Sequence, residues 1–183
     1  MKLALAATTL AGVIASAASA DVTINFTDQT FTGFNFNQLF GPSSGQFVVG
    51  TLTGVSVNAT LTASTNFTYA DDLCIYVDAE PLSTGGLLQV GGFSNLSAAQ
   101  RIFWGNGGSN VPGTTVIDSV TVNPLVFTGT AADAAIWLGN GYGASGTSGT
   151  WTGSVTLIGV EVIPAPGAMA LLGLAGLAGR RRR

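Results

Sequence analysis

The sequence predicts an all-β chain, an antiparallel β-sandwich or jelly roll, with an N-terminal signal peptide and a short C-terminal hydrophobic helix. Three observations lead to this. Apolar and polar residues alternate with period two, most clearly in Val55-Ser56-Val57-Asn58-Ala59-Thr60-Leu61-Thr62, where Val55, Val57, Ala59 and Leu61 share one face. Glycine- and asparagine-rich stretches at 41–45, 83–86, 105–113 and 139–149 break the chain into short runs. Both ends change character sharply, from apolar to polar at Asp21 and from polar to apolar after Pro166.

Taken in order, Val22, Ile24 and Phe26 alternate with Thr23, Asn25 and Thr27, as a half-buried first strand requires. Further strands are expected near 31–36, 47–52, 55–62, 73–77, 87–93, 101–104, 115–122, 125–127, 134–138 and 151–161. Only 94–101 reads as helical, and one turn is enough for it. Short strands punctuated this often point to one sandwich domain over 21–161, without internal repeats. Cys74 is the single cysteine, so no intramolecular disulfide can support it. Its setting, Leu73-Cys74-Ile75-Tyr76-Val77, predicts burial as a small hydrophobe.

Residues 1–20 have the form of a secretory signal: Lys2, an apolar stretch over 3–15, then the small-residue cleavage pattern Ala18-Ser19-Ala20. At the other end Pro164-Ala165-Pro166-Gly167-Ala168 precedes an apolar run from Met169 to Gly179 and then Arg180, Arg181, Arg182 and Arg183. As a helix, 167–179 spans roughly 20 Å, against a hydrocarbon core of about 30 Å. Its membrane insertion is therefore marginal, and the arginines are expected to stay on the cytoplasmic side. A transient membrane intermediate, cut near 164–166, follows from these features.

The segment 162–183, with its Pro164-Ala165-Pro166-Gly167 motif, apolar helix and arginine cluster, resembles a PEP-CTERM sorting signal. Alanine at 165 replaces the glutamate of the usual Val-Pro-Glu-Pro motif. The resemblance implies an exosortase-type membrane protease as partner. It also implies delivery to the bacterial envelope, surface or extracellular matrix, beside exopolysaccharide. In the body, Asn66-Phe67-Thr68-Tyr69-Ala70-Asp71-Asp72-Leu73-Cys74-Ile75 and Gly149-Thr150-Trp151-Thr152-Gly153-Ser154 resemble segments of the jelly-roll P-domains that accompany some proprotein convertases. That likeness implies at most an accessory or interaction role.

Removing both ends leaves one arginine, Arg101, against nine carboxylates, a net charge of about −8 with no lysine and no histidine. Nucleic acid is excluded as a partner, because phosphate neutralisation needs Lys and Arg. The Thr/Asn/Gly-rich surface suits an exported β protein and contact with polysaccharide.

The chemistry-bearing motifs are few. Gly41-Pro42-Ser43-Ser44-Gly45 fits the nucleophile-elbow pattern, but no histidine exists to act as base, so it reads as a turn. Gly141, Gly143 and Gly146 satisfy a dinucleotide-loop spacing that runs into a strand rather than a helix. Asp71 and Asp72 are the candidate calcium ligands, oxygen donors without a neighbouring base. Asp78 and Glu80 lie at the far end of the same strand, and a glycosidase-type carboxylate pair is disfavoured. Trp104, Tyr142 and Trp151 adjoin Gly/Asn loops and are the candidate glycan contacts, with packing as the competing role. The chain is thus expected to be a structural or interaction protein and not an enzyme, with a carbohydrate-binding or calcium-dependent adhesion module as the alternative.

Overall fold

A computed structural model of the chain describes residues 20–93 and 97–164. The expected signal peptide at 1–20, apart from Ala20, and the sorting tail beyond Pro164 lie outside the described residues. Among the described residues no helix is long and apolar enough to cross a membrane.

The chain is all-β. Its elements are β1 (Val22–Thr32), β2 (Phe36–Phe40), β3 (Gln46–Thr65), the 3-10 turn η1 (Ala70–Asp72), β4 (Leu73–Asp78), β5 (Leu88–Gly91), β6 (Gln100–Ile102), β7 (Thr115–Thr128), β8 (Ala135–Asn140) and β9 (Ser148–Pro164). They form two sheets, one ordered β1-β9-β3-β7 and the other β2-β8-β4-β5-β6. All pairings are antiparallel except β5 with β6. Val55, Val57, Leu61, Trp151, Val155 and Leu157 of the first sheet meet Leu73, Ile75, Val77, Leu88, Ile136 and Leu138 of the second in one core. Each such side chain, removed from water, contributes about 1.5–3 kcal/mol. This is a β-sandwich.

The alternation in 55–62 is read correctly by the fold: Val55, Val57, Ala59 and Leu61 are buried. The expected strands 47–52 and 55–62 are one 20-residue strand, β3, irregular between Leu52 and Gly54. Likewise 115–122 and 125–127 fuse into β7, an edge strand whose ladder skips from Thr121 to Leu125 around Pro124. Proline cannot donate to a ladder, so an edge is where such an interruption is tolerated.

Two expectations need correction. The strand foreseen over 31–36 divides at Gly33, whose φ of 58° lies in the left-handed region and whose N–H donates to Thr147 O at 2.8 Å. The helical reading of 94–101 fails over its described part. Ala99 and Gln100 N–H groups donate to Gly86 O and Leu87 O, which draws Gln100–Ile102 into a strand parallel to β5. Tertiary pairing overrides the local propensity.

At the C-terminal end β9 runs past the expected body limit at Glu161. Among the described residues its last ladder pairs are Phe47 with Ile163 and Gln46 with Pro164.

Candidate functional site

The site lies at the end of the sandwich where β3 leaves one sheet and β4 enters the other. Asn66 and Phe67 both adopt positive φ, 52° and 62°. Asn tolerates this, and its Nδ2 is anchored on Gly146 O at 2.9 Å. Phenylalanine does not favour it, and the ring is left 65% exposed. The backbone is thus held in an unfavourable conformation where it presents an apolar ring to solvent.

η1 follows and binds three other segments through its backbone. Ala70 N donates to Ser109 O at 2.9 Å, and Asp71 N to Gly107 O at 3.3 Å. Asp71 O and Asp72 O accept the N–H groups of Gly92 and Gly141, each at 2.8 Å. The last two bonds pull the ends of β5 and β8 together. A Cβ on Gly92, whose φ is 75°, would lie 2.8 Å from Gly141 Cα, so the approach needs glycine at both positions. Phe93 and Tyr142 follow these glycines, and their rings meet edge to face at 5.5 Å.

The result is a cleft of about 430 Å³. Phe67, Tyr69, Phe93 and Tyr142 supply aromatic walls, and Asp71 and Asp72 the acidic groups. Gly92 and Gly108 keep the space between them open. A second hollow of about 290 Å³ shares Asp71, Gly92 and Phe93 and adds Phe103 and Trp104. The two adjoin, so the surface is a groove with Phe93 and Asp71 at its middle.

The two carboxyls differ. Asp72 is 5% exposed and accepts Tyr69 N–H at 2.7 Å. Burial, reinforced by the charge of Asp71, pushes it up to about 7 despite that hydrogen bond. Asp71 is more open, and burial raises it as well. Both acids lack a compensating positive charge in the cleft lining.

The structure brings Asp71, Asp72 and Tyr142 into one cleft, and buries the other two expected glycan contacts. Trp151 is fully buried, packed near Phe31 with its Nε1 donating to Ala70 O at 3.1 Å. It is a core residue that carries η1, and its face is closed to a sugar. Trp104 is 6% exposed, donates to Leu73 O at 2.8 Å and packs where a Cβ on Gly91 would collide with it. It supports the floor of the second hollow and offers little open ring. Phe67, Tyr69, Phe93 and Phe103 are the exposed aromatics that line the two hollows. The signal for the first two was two aromatics in the short non-strand stretch before Asp71-Asp72.

As a calcium site, Asp71 and Asp72 are thin. Among the described residues there is no group of three or more His, Cys, Asp or Glu side chains able to hold a metal. One oxygen of Asp72 is already committed to Tyr69 N–H. Asp78 and Glu80 serve the fold. Asp78 accepts Ala79 N–H and Ser83 N–H, and Glu80 accepts from Gln38 and Ser43. Ser43 of the 41–45 turn is thus spent on Glu80. Tyr142 lies among the 141–146 glycines and Thr147 follows them, its Oγ1 donating to Ala144 O at 2.7 Å in a loop that enters β9.

No family model, no curated protein and no solved structure matches this chain.

Proposed function

We propose that the chain is an exported, surface-sorted interaction protein of a bacterial envelope or extracellular polysaccharide matrix, and that it works by binding through the aromatic groove, without catalysis. The groove carries this reading. Four aromatic side chains surround a cleft of about 430 Å³ with two acids beside it, on a body otherwise poor in charge. Aromatic faces stack on sugar C–H groups while carboxylates accept hydroxyl hydrogens, the division of labour a saccharide site uses.

The strand order supports the jelly-roll reading of the body. Chain-successive strands β1 to β4 pass alternately between the sheets, as do β7 to β9. The Pro164-Ala165-Pro166-Gly167 motif ahead of an apolar run and an arginine cluster supports the sorting reading of the tail, with a membrane protease of the exosortase type cutting near that motif. The arginines at 180–183 then serve as the membrane-topology signal.

The test is glycan-array binding by the full-length chain and by its Phe93→Ala and Tyr142→Ala variants. Binding by the parent that either substitution removes, at unchanged melting temperature, is the expected result. Parent binding that survives both substitutions would move the site elsewhere, and an array with no bound glycan would end the reading.

A further inference from the structure

The groove's charge and its aromatic walls constrain each other. Of the side chains that form its lining, two are acids and none is a base. The chain between 21 and 161 holds nine carboxylates and one arginine, so the surrounding field is negative as well. A polyanionic ligand, a uronate or a sulfated sugar, is repelled. A neutral sugar gains hydrogen bonds but leaves two partly buried carboxylates without a counter-charge. An ammonium group satisfies both at once, because the negative faces of aromatic rings attract cations where water is excluded. Phe67 and Phe93 make the point most sharply. They have no hydroxyl to offer a sugar, and both rings stand open to solvent, 65% and 53% exposed.

The geometry favours an extended ligand over a lone cation. The hollow bounded by Phe67, Tyr69 and Tyr142 continues past Phe93 and Asp71 into the hollow at Phe103. A polymer of similar units can occupy both, with Asp71 placed between successive units. The positive φ of Phe67 adds an independent mark, since the fold accepts an unfavourable backbone there to hold an exposed ring at the cleft mouth.

We infer that the groove selects a cationic polysaccharide, one built from hexosamine units whose nitrogens carry no acyl group, with Asp71 and Asp72 receiving the ammonium groups and Phe67, Phe93 and Tyr142 stacking on the sugar rings. This rests on the saccharide-binding reading above and gives the class of sugar. Burial raises both carboxyls in the free chain, so an arriving ammonium has to draw them back to their charged forms, and proton release should accompany binding.

Three oligosaccharides of equal length separate the outcomes: a glucosamine oligomer, its fully N-acetylated counterpart and an oligogalacturonate. Binding to the full-length chain is measured calorimetrically at about pH 6, where an amine of this class holds its proton. The glucosamine oligomer should bind roughly tenfold or more tightly than the acetylated one, as desolvated cation–π and ion-pair contacts imply, and the galacturonate should not bind. Asp71→Asn should erase most of that preference, and Phe93→Ala should weaken both amino-sugar ligands, with melting temperatures held as the control for folding. Equal binding of the acetylated and free-amine oligomers, unmoved by Asp71→Asn, overturns the inference and leaves the saccharide reading standing. Preference for the galacturonate overturns the inference in the same way. Failure of all three to bind, with a glycan array also empty, takes down both.

Discussion

The outer faces of the two sheets have opposite fates. On the β1-β9-β3-β7 sheet small polar side chains cross the strands in register on the outer face, where Ile117 and Val126 of the edge strand β7 also stand exposed. Thr23 pairs with Thr156, Thr156 with Ser56, and Ser56 with Ser119. Adjacent hydroxyls bond to each other, Thr23 to Thr156 and Thr30 to Thr150 at 2.8 Å, and Thr60 to Thr115 at 3.0 Å. On the other sheet the outward positions are themselves core. All six residues of β4 are buried, and Cys74 and Tyr76 pack outward with Phe36 and Ala98 into a second cluster. The cover is the 79–87 segment together with Ser97–Ala99. Asp78 Oδ2 accepts Ser83 N–H, Tyr76 Oη accepts Gly86 N–H at 2.8 Å, and Ala99 N–H donates to Gly86 O at 2.9 Å. A sandwich needs one buried face per sheet, and here one sheet has two. The second burial rigidifies β4, the strand that begins at η1, and so steadies the acidic side of the groove.

The comparison can be broken at its strongest point first. Tyr76→Ala removes a fully buried ring on the covered face and should cost about 3–5 kcal/mol, read from urea unfolding. A loss below about 1 kcal/mol would mean that the covering segment contributes no core of its own.

The next effect comes from Asp72, at the entry of β4. Its carboxyl is raised from 3.8 to about 7 by burial, so the folded chain holds this proton more tightly than the unfolded chain does. Its contribution to stability is fully present below about pH 4 and is lost as the pH rises through 7. Asp72→Asn keeps an oxygen for Tyr69 N–H and removes the titration. Its melting temperature should exceed that of the parent at pH 8 and converge with it at pH 4. Parallel profiles for the two proteins would show that the carboxyl is not desolvated.

The smallest effect belongs to the open face. Thr156→Ala removes one exposed hydroxyl pair from the row and should change stability by no more than about 0.5 kcal/mol. If it matched Tyr76→Ala, the two faces would not differ in the way their burial implies.

The same contrast explains what could be read in advance. Strict alternation marks a strand with one wet face, so 22–27 and 55–62 were legible residue by residue. β4 carries no such alternation, because Leu73, Cys74, Ile75, Tyr76 and Val77 are all inside. Its identity as a strand was legible, but not the existence of its cover. The helical reading of 94–101 failed for the same reason: Ala98 packs into the cluster of Tyr76 and Cys74, and nothing local announces that. Within the site, Asp71 and Asp72 stood out because two adjacent acids had no nearby base. Trp104 and Trp151 stood between glycan contact and packing, because an aromatic beside a glycine loop has the same local sequence whether its ring points out or in, and their burial sides with packing.

By itself the amino-acid sequence determined the β class, the burial of Cys74, the negative body and the chemistry its composition lacks, since these depend on residue type and period-two spacing alone. Tertiary structure decided which aromatics face solvent and which acids are desolvated. Phe67, Phe93 and Tyr142 come from three separate connections, and they meet only because η1 accepts the N–H groups of Gly92 and Gly141. Contacts between residues so far apart in the chain are set by the closing of the two sheets, and no local pattern encodes them.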